Sequence, residues 1–260
     1  MNKQTKLITA FAAATAAFAL SANASSIGIN MGADAGGLGS PEEAIQNVLP
    51  SGTSAGVVPQ TNWNNKTASN HAATTVTDDT GFMLATTVQI NTSWTNGNVA
   101  HDLADGDRIM MNSGIDNGGG PQGATIEGIT FALYDVYVYY DGGSDDMRGG
   151  SYQVWDSDNS DAVLAAQSGY DSATFDGTYI QATGDGTDGM GGSTDTNYVK
   201  LTGLTASNIK IRSIADQLGG GDVTKRAPIN GFQIVEVVPE PSTTALLGLG
   251  GLALIFRRRK

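Results

Sequence analysis

The side chains able to do chemistry are mostly Asp and Tyr. Asp156-Ser157-Asp158-Asn159-Ser160-Asp161 sets side-chain oxygens at alternating positions, the way a loop feeds a hard cation such as Ca²⁺. Asp156, Asp158 and Asp161 are the candidate metal ligands. The run departs from an EF-hand loop, because its sixth position is Asp161 rather than Gly and its twelfth is Gln167 rather than Glu. His101 to Asp107 and Gly184 to Gly189 are similar acidic loops without a defining spacing. A solvated Asp/Gly turn is the alternative in each case, so Ca²⁺ enters as a candidate cofactor only.

A second pattern is aromatic. Along Tyr134-Asp135-Val136-Tyr137-Val138-Tyr139-Tyr140, a strand places Tyr134, Val136, Val138 and Tyr140 on one face. Asp135, Tyr137 and Tyr139 take the other. If the valines face the core, two rings beside a carboxylate can stack on a sugar and accept its hydroxyl protons. Burial of Tyr137 and Tyr139 beneath a loop is the competing arrangement. Trp63 and Trp94, in Asn/Thr-rich segments, are further candidates for ligand contact, against the commoner fate of a buried anchor. Trp155, ending a strand, reads as core.

Catalysis has little to work with. The chain has two histidines, His71 and His101, and no cysteine, which removes thiolate nucleophiles, thiolate metal sites and disulfides. A triad assembled from His101, Asp102 and a serine lacks the Gly-x-Ser-x-Gly elbow that would present the nucleophile. Paired carboxylates for glycoside hydrolysis occur by chance in so acidic a chain and carry no weight. The expectation is a non-enzyme, with a glycan-active hydrolase as an alternative.

These residues must be positioned by strands. Glycine accounts for 35 of 260 residues and charged residues for 15%, below the roughly 25% of average soluble domains. Between Ser25 and Val238 there are 25 acidic and eight basic residues, a net charge of −17, which argues against a nucleic-acid partner. Short apolar runs separated by Gly, Asn and Asp clusters predict strands. The expected strands are Ile27–Met31, Thr74–Thr77, Phe82–Ile90, Arg108–Asn112, Ala124–Ile126, Leu133–Tyr140, Tyr152–Trp155, Ala162–Ala166, Tyr179–Ala182, Tyr198–Leu201, Ile209–Ile214 and Phe232–Val238. One helix is expected from Ser40 to Leu49, with Ser40 as N-cap, Glu43 completing a capping box and Pro50 stopping it. With no βαβ alternation, the predicted fold is mainly β, an antiparallel β-sandwich of jelly-roll type.

The two ends read as addresses. Residues 1–24 have a basic start (Lys3, Lys6), an uncharged apolar stretch from Leu7 to Leu20, and the small-x-small sequence Ala22-Asn23-Ala24. This is a secretory signal with cleavage expected between Ala24 and Ser25 by signal peptidase. Residues 25–238 form the passenger. In residues 239–260, Pro239-Glu240-Pro241 precedes the uncharged run Ala245 to Phe256 and the basic end Arg257-Arg258-Arg259-Lys260. As a helix that run spans about 18 Å, short of a comfortable crossing but near a thin one with snorkelling arginines. The cations hold their side in the cytoplasm and place the passenger outside the inner membrane.

The order Pro-Glu-Pro, apolar helix, basic end closely resembles the PEP-CTERM sorting tail of Gram-negative bacteria. That resemblance implies cutting near Pro239-Glu240-Pro241 by an exosortase and delivery to the cell surface or the exopolysaccharide matrix. Within the passenger, Ile27–Gly32, Gly56–Asn65, Tyr134–Asp141 and Ile229–Val235 resemble segments of β-sandwich passengers of such proteins. The last looks like the closing strand of galactose-binding-like jelly rolls. The resemblance implies the fold and an exopolysaccharide as possible partner. A structural or adhesive matrix protein without a defined ligand is the alternative.

Overall fold

The computed structural model describes residues 24–31, 47–66, 72–91, 94–97, 103–116, 122–141, 148–171, 173–183, 195–215 and 226–238. Residues Ser25–Val237 form one compact unit. Its strands are β1 (Ser26–Met31), β2 (Asn64–Lys66), β3 (Thr74–Thr77), β4 (Met83–Asn91), β5 (Trp94–Gly97), β6 (Ser113–Asp116) and β7 (Gln122–Glu127). They continue with β8 (Tyr134–Tyr139), β9 (Arg148–Asp156), β10 (Ala162–Asp171), β11 (Tyr198–Leu204), β12 (Ile209–Ala215) and β13 (Gly231–Glu236). One short helix, α1 (Gly106–Met111), precedes β6.

Two larger sheets result, ordered β11-β8-β13-β1-β2 and β10-β9-β12-β7-β4-β3, with β5 and β6 paired separately. All pairings are antiparallel except β1 with β2, which run parallel. Register aligns apolar side chains across each sheet. Ile27 lies opposite Ile234, Ile234 opposite Val136, and Val136 opposite Leu201. In the second sheet Val154 lies opposite Ile211, Ile211 opposite Ala124, and Ala124 opposite Ile90. All of these belong to one buried apolar cluster drawing on both sheets. Each fully buried aliphatic side chain contributes roughly 1.5–3 kcal/mol relative to an exposed one.

The β-rich expectation holds, with local corrections. Arg108–Asn112 is not a strand. Asp105 caps a helix there by accepting the Arg108 N–H at 2.9 Å, Asp107 sits in the first turn, and the run ends at Met111. Tyr179–Ala182 is held by one parallel bridge, Gln181 to Tyr198, and by Asn197, whose side chain accepts from Ile180 N–H and donates to Thr178 O. Strands β2, β5 and β6 were not expected. The polar β2 is fixed by Asn64, whose amide donates to Gly28 O and Thr77 O. Of the expected helix 40–49, residues 40–46 lie outside the described residues, and Asn47 is in a turn.

The signal segment, apart from Ala24, and residues 239–260 also lie outside the described residues. Among the described residues no helix is long and apolar enough to cross a membrane.

Candidate functional site

Period-two alternation on β8 sorts its side chains as its sequence demands. Tyr134, Val136 and Val138, with Tyr140 just beyond, enter the cluster shared by the sheets, while Tyr137 and Tyr139 enter a second apolar cluster. That second cluster covers the opposite face of the first sheet. Leu49, Ala55, Trp63, Met110, Met111, Phe175 and Val235 fill it, with Tyr179 and Tyr198 packed against it. Tyr137 and Tyr139 are therefore not an exposed sugar platform: they are 7% and 0% exposed. The face is as expected, but the Leu49–Trp63 segment, α1 and the segment around Phe175 roof it over.

The roof is tied down by polar groups. Gln233 on β13 is fully buried and accepts from the Tyr139 hydroxyl. Its amide donates to Val58 O and Gln60 Oε1, each at 2.8 Å. Val57 N–H donates to the Tyr139 oxygen at 2.9 Å. Asp107 of α1 accepts from Gly56 N–H and from the Tyr179 hydroxyl, both at 2.7 Å. Trp63 is buried, donates to Gln60 O at 3.1 Å and meets Tyr139 edge-on at a 6.3 Å centroid separation. Burial, more than any neighbouring charge, pushes the Tyr139 and Tyr179 hydroxyls well above the usual 10.0. The polar groups named here, the Asp107 carboxylate among them, are hydrogen-bonded within the fold.

At its open margin the arrangement changes. Tyr198 on β11 is half-buried and stacks on Tyr137 at 28° between planes, with Lys200 Nζ 5.3 Å from the Tyr137 centroid. Asp135 pairs with Lys200 at 3.1 Å and accepts from Gly203 N–H at 3.0 Å. The Tyr137 hydroxyl, then Asp135, hold the Lys200 ammonium above its usual range. Of the expected ligand-binding set, Asp135, Tyr137 and Tyr139 thus share one face, and Trp63 joins it from inside. Trp94 opens β5, and its side chain lies outside the described residues.

The acidic turn between β9 and β10 does not gather ligands. Asp156 accepts from Asp158 N–H at 2.9 Å, Asp158 takes both its hydrogen bonds from the Asn208 amide, and Asp161 pairs with Lys210. Each carboxylate is drawn to a different partner. Among the described residues no group of three or more His, Cys, Asp or Glu could hold a metal ion. His71 and His101 lie outside the described residues.

The chain ends of the unit meet. Glu236 N–H donates to Ser25 O at 2.9 Å, and Ser25 N–H reaches Glu236 Oε2 at 3.4 Å. The expected cleavage bond between Ala24, which is exposed, and Ser25 therefore borders the last strand. Pro239, Glu240 and Pro241 lie outside the described residues. Sequence reasoning missed Gln60 and Gln233, and it placed Asp107 in an acidic loop rather than in this network. Only Gln233 carried a signal, as a lone amide in the apolar strand Phe232-Gln233-Ile234-Val235.

The PEP-CTERM protein-sorting motif matches residues 237–260, beginning directly after β13. That motif implies an exported protein sorted by an exosortase. No curated protein and no solved structure matches the chain.

Proposed function

We propose that this chain is an exported, non-catalytic β-sandwich protein of jelly-roll type, held at the inner membrane by residues 239–260 until an exosortase releases it to the cell surface or the exopolysaccharide matrix. The observation that carries this reading is the sorting motif joined to the end of the closing strand. The sandwich assignment is supported by two sheets that share one apolar cluster. The non-catalytic assignment rests on the candidate site, whose polar atoms serve the fold. In cell fractions, replacing Pro239-Glu240-Pro241 by alanines should shift the protein from the extracellular pool to the inner membrane. Unchanged secretion of that variant contradicts the reading.

A polysaccharide contact is the second reading, carried by the margin where Tyr198 is partly open beside Lys200 and Asp135. A ring with flanking charged groups suits a sugar's apolar face and its hydroxyls. Tyr198→Ala should weaken retention on the producing organism's exopolysaccharide by about 1–3 kcal/mol, by analogy with stacking on other flat ligands. Equal retention of the variant and the parent removes it.

A further inference from the structure

The turn joining β3 to β4 exposes two large apolar side chains, Phe82 at 69% and Met83 at 66%. Its acids are turned inward. Asp78 is 8% exposed and accepts from Thr80 N–H, the Thr80 hydroxyl and Phe82 N–H. Asp79 accepts from Ser26 N–H at 3.1 Å, and Ser26 O accepts from Asp79 N–H at 2.9 Å. The tip thus presents apolar groups outward while its carboxylates are spent on backbone. Its anchorage on Ser26 also fixes where it lies. Ser26 is opposite Val235, and Val237 N–H donates to Leu133 O, so the tip is at the end of the unit from which the chain runs to the apolar tail.

From these observations we infer that Phe82 and Met83 form a lipid-contacting tip, which rests on the outer leaflet of the inner membrane while the tail is inserted. The inference depends on the tail reading above. Only residues 238–244 separate the last backbone contact of the unit from the apolar run, and seven residues reach at most about 25 Å fully extended. The exit end of the unit is therefore confined near the bilayer surface, where an exposed Phe-Met pair gains by entering the interface. Confinement supplies a high effective concentration, so a contact too weak to hold the free protein holds the tethered one, and it is lost when the tether is cut.

The chain has no cysteine, so single labelling sites can be introduced cleanly. The full chain is reconstituted in phosphatidylethanolamine–phosphatidylglycerol vesicles with an environment-sensitive NBD label at one of three sites. These are Met83→Cys at the tip, Thr174→Cys on an exposed site beyond the far end of β10, and Ser242→Cys beside the tail. The label at position 83 should be several-fold brighter and blue-shifted relative to that at 174, and brominated lipids should quench it. Phe82→Ser in the Met83→Cys background should reduce that quenching, and circular dichroism and melting should show whether the fold persists. Lipid quenching at 242 but not at 83 overturns the tip while sparing the tail reading. No lipid quenching at 242 overturns the tail reading and the tip with it. A blue shift at 83 that grows with protein density without lipid quenching indicates a second copy as occupant, and also overturns the inference.

Discussion

Tyr139 shows how one side chain can satisfy two demands. Its ring packs against Trp63, Tyr179 and Tyr198, while its hydroxyl joins Gln233 to the backbone of Val57. Truncating such a ring removes packing and leaves the Gln233 carbonyl short of a partner in a dry interior. Tyr139→Ala and Tyr137→Ala should each cost about 3–5 kcal/mol of stability in a denaturant melt, as for other large buried aromatics. Losses below about 0.5 kcal/mol are the mark of surface residues and would contradict the burial described here. Alkali should act through the same hydroxyls. Burial raises Tyr134, Tyr139, Tyr140 and Tyr179 above the usual 10.0. Tyrosines freed by unfolding ionise near pH 10, so the unfolded state releases protons first. Their contribution to stability is intact below that pH and declines as pH rises through and beyond it. The slope of denaturation midpoint against pH should be near zero to about pH 9, steepen above about pH 10, and be shallower in Tyr139→Phe.

Among the elements, β1 is the strand on which the covered face depends most narrowly. Ile27 and Ile29 enter the shared core, so Gly28 faces the roof. A methyl group there would lie 2.5 Å from Gln60 Nε2 and 2.8 Å from Trp63. Gly28→Ala should therefore cost about 1–3 kcal/mol, the usual toll of overpacking, read as a lower denaturation midpoint. A midpoint equal to that of the parent would mean that the Gln60–Trp63 segment does not rest on β1. The period-two pattern of Tyr134–Tyr140 was readable from the sequence because alternation is a local property of a strand. The roof was not readable, because its apolar residues come from Leu49–Trp63, α1 and Phe175, which are distant in sequence and have no period-two or helical pattern linking them. Local signals also misled where another element decides the outcome. Asp156, Asp158 and Asp161 look like cation ligands until Asn208 and Lys210, from the β11–β12 connection and β12, claim two of them. The short run Arg108–Met111 fits strand or helix alike, and the Asp105 cap settles it.

At the level of the whole molecule, the unit lies between the proposed signal segment and the matched sorting motif, and the two junctions lie side by side. Ser25 and Glu236 exchange hydrogen bonds, so both processing steps would act on the same end. The passenger's net charge of −17 would suit a soluble, self-repelling product if the proposed release takes place. The proposed route is export, temporary tethering and release by an exosortase. The intact mass of the protein recovered from the extracellular fraction tests it most directly. The expected form begins at Ser25 and ends near Pro239-Glu240-Pro241, lacking the apolar run and its basic end. An extracellular form that retains Arg257 to Lys260 would contradict it.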